Sequence, residues 1–260
     1  MWWFGDVSYS AETAHAVRMG QFNAVQYLEE AGGNVAELRT RMRGIAIQLV
    51  ITTSILYLFV RNAWHAVRML CARHTLIPAW CCLVQSLMGI SFACLFLSSV
   101  LPGGPSCHTS IRYASLCLMV SVLAVSTTLL HKAYLAHQRS RLLLAAGVVL
   151  MLPQPLPVYI VWRAGHATMD PESGCSVALP ACFPWLKFGL DAALIVAFSA
   201  AFITVVYRHY RLFGSEAWRR LAEDGTRTMC LIILSNAICL LASTFHFPEN
   251  AAMSWWLADW

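Results

Sequence analysis

"YRHYRLFGSEAWRRLAEDGTRTMC", Tyr207 to Cys230, carries five arginines and three acids among aromatics, with almost uncharged sequence on either side. A charged island between two apolar runs, each long enough to cross a bilayer, reads as a segment lying at the membrane surface. Ser215 suits a helix N-cap, and Gly225 suits the stop after Asp224. In the plainer reading this short helix rests at the headgroups, anchored by tryptophan and arginine. In the sharper one, Arg208, Arg211, Trp218, Arg219 and Arg220 form a contact surface for a cytoplasmic signalling protein.

Working outward, the same alternation fills the chain. Its 260 residues are 58% hydrophobic and 12% charged, with a mean hydropathy of +0.60. Soluble domains average about 25% charged residues, so water cannot be the solvent for most of this surface. The expected fold is all-α, a polytopic transmembrane helical bundle. Six complete spans are expected: Gly44–Val60, Leu76–Leu101, Tyr113–Leu130, Leu142–Trp162, Phe188–Tyr207 and Met229–Phe245. The closing "PENAAMSWWLADW" (Pro248 to Trp260) turns apolar again and stops short of a span, which reads as a truncated seventh. Residues 1–43 form an N-terminal tail with one amphipathic helix. Ser10 is its cap, Ala16, Met19, Phe22 and Val25 line one face, and Ala31–Gly33 end it. Residues 44–260 are the bundle.

Basic residues orient the spans. Loops after spans one, three and five hold Arg61, Arg68, Arg73, Lys132, Arg139, Arg141 and the arginines of the opening stretch. They outnumber Arg112, Arg163 and Lys187 together with Arg18, Arg39, Arg41 and Arg43 of the tail. The positive-inside rule then puts the N-terminus outside and the protein, multi-pass, in a plasma membrane or endomembrane. Cys107 falls before span three, and Cys175 and Cys182 fall between spans four and five, all on the oxidising side. A disulfide from Cys107 to one of the other two is expected.

This arrangement, with a cysteine heading span three and facing another in the next outer loop, resembles the plan of G-protein-coupled receptors. "HKAYLAHQRSR" (His131 to Arg141) stands where such receptors carry their acid–arginine motif, although no such pair occurs in it. "PWLKFGLD" (Pro184 to Asp191) and "YRHYRLFGSEAWRRLAEDGTRTMCLIILSN" (Tyr207 to Asn236) are also similar to multi-pass membrane proteins of fungi. The receptor resemblance implies a seven-helix protein that binds an external small ligand and signals through its basic loops.

Polar groups inside spans are the candidate ligand-binding residues. Asp191 is the one acid well inside a span, four residues from Lys187, with which an i, i+4 pair is the plainer expectation. Gln154 sits in "LMLPQPLPVYIVW", where Pro153, Pro155 and Pro157 must bend or break span four. Gln85 and Asn236 complete the set, and interhelical packing is the default role of all three amides.

Enzyme chemistry has no footing. Clustered histidines, H-E-x-x-H, G-x-S-x-G and glycine-rich phosphate loops are all missing, so no catalytic residue, metal or cofactor is expected. Nor is a nucleic-acid partner, since there is no basic run. The partners are the lipid bilayer, a small ligand and a cytoplasmic signalling protein. The alternative functions are a small-solute transporter, for which a broken span four would suit a midplane site, and a non-catalytic scaffold.

Overall fold

The computed structural model describes residues 18, 20–72, 74, 76–136, 140–171, 174–180 and 182–213, together with 227, 234 and 238. A short helix α1 (Ala24–Glu29) comes first, capped by Asn23. The Asn23 side chain accepts from the Gln26 amide while the Gln26 side chain accepts from the Asn23 amide. Gly32 and Gly33 take positive φ in the turn that follows. Then come α2 (Val35–Ala72), α3 (Ile77–Ser98) and α4 (Cys107–Ala136). Beyond them lie α5 (Arg141–Met151), α6 (Leu156–Ala164), strands β1 (His166–Asp170) and β2 (Gly174–Ala178), and α7 (Phe183–Phe213).

Five helical segments are long and apolar enough to cross a membrane, namely α2, α3, α4, the α5–α6 pair and α7. Large apolar side chains also cover their outer surfaces, Leu142 being 83% exposed and Val149 63%. Lipid is the medium that such a surface suits. The chain is a membrane protein with a helical bundle. The expected sixth span lies outside the described residues apart from Leu234 and Ile238, and the stretch read as a truncated seventh lies wholly outside them.

Packing follows sequence period. On α2, Ile45, Thr52, Phe59 and Ala66 recur every seven residues and are all buried, the narrow seam of helices crossing at a small angle. Phe59 lies against Gly89 of α3, where an added Cβ would stand 2.3 Å from its ring. Small residues at the seam let helices approach closely, and Ser86 and Ala93 continue it. Helix α4 then runs through the middle, touching α3, α5, α6 and α7.

The structure corrects two expectations. The fold is not purely helical, because β1 and β2 form an antiparallel hairpin with Met169 opposite Cys175 and Asp170 opposite Gly174. Alternate side chains Ala167 and Met169 turn into the core, a period-2 signal five residues long within what reads as a loop. The helices also outrun the lipid-length blocks. Arg61 and Arg68 belong to α2 and Lys187 to α7 rather than to loops, since helical hydrogen bonding continues where hydrophobicity ends. Helix α2 runs through residue 43, the division expected between the tail and the bundle. The start expected at Ser10 lies outside the described residues.

Candidate functional site

Span four is broken where its prolines require. Pro153, Pro155 and Pro157 lack amide donors, so the chain between α5 and α6 closes through i→i−3 bonds. Leu152 donates to Val149 O, Gln154 to Met151 O and Leu156 to Pro153 O, at 3.0–3.3 Å. This turn delivers Gln154 into the bundle, where it is 4% exposed. Its Nε2 donates to Asp191 Oδ1 at 3.4 Å, and Lys187 Nζ donates to Asp191 Oδ2 at 2.8 Å. Both carboxylate oxygens are thus engaged, one by an amide from the broken helix and one by an ammonium a turn away on α7. The lysine and aspartate are each about 15% exposed, at 15% and 14%. An ion pair so far from water survives only with such extra hydrogen bonds.

The cluster faces a cleft between α4, α6 and α7, lined also by Ser115, Leu118, Val122, Val158 and Phe183. Ser115 Oγ accepts from Trp162 Nε1 at 3.1 Å and donates to Arg112 O at 2.7 Å, tying α6 to α4. The free volume of about 20 Å³ accommodates roughly one water molecule. Of the four polar residues singled out in the sequence, Gln154 and Asp191 meet. Gln85 is half-buried on α3 and does not line this cleft. Asn236 lies outside the described residues, as do Trp218, Arg219 and Arg220, whereas Arg208 and Arg211 are on the last turns of α7.

A second polar assembly closes one end of the bundle. Cys107 and Cys175 form a disulfide, joining the first turn of α4 to β2, while Cys182 is a free, exposed thiol. Gln48 of α2 then grips the same strand. Its Nε2 donates to Cys175 O at 2.8 Å and its Oε1 accepts from Cys175 N at 3.1 Å. Gly174 turns the hairpin with φ +77°, and a Cβ there would meet Gln48 Oε1 at 2.5 Å, so both conformation and contact require glycine. The first amides of α4 are satisfied by the N-terminal segment, Cys107 N donating to Phe22 O and His108 N to Gly20 O. Sequence reading passes over Gln48. Its only signal is an amide in an apolar block, which does not say that the partner lies 127 residues away.

Arg41, read in the sequence only as one of the basic residues of the tail, is 7% exposed at this end. It pairs with Glu37, donates to Tyr27 O at 2.5 Å, and lays its guanidinium 4.4 Å from the centre of the Tyr27 ring. Burial pushes the Tyr27 phenol up to about 12, against a lowering by Arg41.

Among the described residues no group of three or more His, Cys, Asp or Glu side chains is placed to hold a metal ion. No family model and no curated protein matches the chain.

Proposed function

We propose that the chain is a receptor-like integral membrane protein. In this reading its N-terminus is outside, it senses an external ligand beneath the hairpin end, and it couples through the basic end opposite. The observation that carries the reading is the Cys107–Cys175 bridge. It pins the start of the third apolar helix to the segment between the fourth and fifth, the arrangement on which the resemblance to G-protein-coupled receptors rests. The hairpin packs on α2 and α4, and the Gln154–Lys187–Asp191 cluster between α4, α6 and α7 is where ligand binding would move one helix against another.

The transporter reading draws on the interrupted fourth span with polar groups at its break. The cleft there has room for about one water, about 20 Å³, so either reading requires it to open.

Two measurements separate these readings. An epitope tag at the N-terminus of the full chain is expected to be accessible on intact cells, and protection of that tag would sink the orientation. The chain in proteoliposomes is expected to accelerate nucleotide exchange on a purified heterotrimeric G protein without small-solute flux. Flux without exchange favours the transporter. Asp191→Asn is expected to impair whichever activity is found, and wild-type activity in that variant would reduce the cluster to a structural pair.

A further inference from the structure

Helix α2 is longer than a bilayer requires. Its 38 residues extend roughly 57 Å, against a hydrocarbon core of roughly 30 Å. The excess beyond Val60 is not a loose arm, because Ala66 (0% exposed) and Leu70 (9%) remain buried along the inner side of the helix. Packing therefore fixes which way the opposite side faces.

That opposite side is one continuous stripe. Val50, Tyr57 and Trp64 recur every seven residues at 68%, 66% and 58% exposed. Arg61 and Arg68 fall on the same side, three and four residues from Trp64 (the i, i+3 and i, i+4 neighbours of a helix surface). Arg68 stacks its guanidinium 5.0 Å from the Trp64 ring centre, which holds it along the stripe. The exposed apolar face at Val50 and Tyr57 thus runs, without rotating away, into two arginines just beyond the apolar block that ends at Val60, where a headgroup level is expected.

Neither arginine has a hydrogen bond or ion pair with another described residue. The local sequence supplies no acid either, since from Leu38 to Met169 it contains no aspartate or glutamate. We infer that the Arg61–Trp64–Arg68 face of α2 is a binding site for the phosphate of an anionic phospholipid headgroup, with the tryptophan seated at the interface and the two guanidinium groups as donors. Lipid is favoured over an acidic protein because the stripe carrying the arginines is itself lipid-facing. This site is independent of the receptor reading.

The test uses the full chain in phosphatidylcholine membranes with trace spin-labelled lipids, comparing the immobilised fraction of phosphatidic acid with that of phosphatidylcholine. Wild type is expected to prefer phosphatidic acid, and 1 M salt is expected to weaken that preference. The double variant Arg61→Gln/Arg68→Gln is expected to lose about three- to five-fold of it. Arg61→Lys/Arg68→Lys, which keeps both charges, is expected to retain most of it. An unchanged preference in the glutamine variant overturns the site. So does wild type without preference, or a glutamine variant that keeps its lipid preference but loses binding to a polyglutamate peptide.

Discussion

Two arginines of one helix, Arg41 and Arg68, live under opposite rules. Arg41 lies at the hairpin end of α2, buried, paired with Glu37 and stacked on Tyr27. Arg68 lies at the other end, exposed, stacked on Trp64 and without an acid among the described residues. Each guanidinium has an aromatic ring beneath it, so the ring is not what differs. The source of countercharge is. At the hairpin end the chain supplies it internally, and with it a disulfide and a two-bond amide clamp. At the far end no described residue supplies it. One end holds its countercharge within the described structure, and the other does not.

The sharpest way to break this contrast is to cut the covalent tie. Cys175→Ser is expected to lower stability by about 2–5 kcal/mol, read from thermal unfolding in detergent. A loss no larger than that of a surface substitution would mean that the hairpin end is not held as described. Next comes Arg41→Gln, expected to cost about 2–3 kcal/mol in the same melts. That is below a fully buried pair, since the Glu37 side chain is 40% exposed and can be rehydrated.

Alkaline titration examines the same contact without disrupting it. The folded-state pKa of Tyr27, about 12, lies above the unfolded value of about 10. The stabilisation linked to the neutral phenol is therefore complete below pH about 10 and is lost as pH rises through about 12. Tyrosinate absorbance of wild type minus Tyr27→Phe should show a midpoint near 12, and one near 10 would mean that Tyr27 is solvated. The smallest effect belongs to Arg68→Gln, expected within about 0.5 kcal/mol of wild type. A large loss there would give Arg68 an internal partner and erase the difference between the two ends.

Much of the architecture is legible in the residues because it depends on local hydrophobicity. Apolar blocks between charge or Pro/Gly punctuation place all five described spanning segments, and three prolines within five residues place the break in the fourth. What hydrophobicity cannot place is the end of a helix that continues past the lipid. Arg61, Arg68 and Lys187 therefore read as loop residues although each lies on a helix. The hairpin was hidden by its length, since strands of five residues offer too few alternations to stand out from a polar loop. Within the site, Asp191 and Gln154 were identifiable as polar groups in apolar spans. That they meet could not be read, because a contact across 37 residues depends on how the broken helix packs against α7.

Composition and the spacing of apolar blocks determine by themselves that this chain is a helical membrane protein, because burial in lipid is a property of each segment alone. Local charge does the same for the Lys187–Asp191 pair, whose i, i+4 spacing brings the two groups together on any helix. Only the tertiary structure decided which cysteine joins Cys107, which strand Gln48 grips and which arginine is left facing outward. Those outcomes depend on the relative rotation and depth of packed helices, and no single segment encodes either.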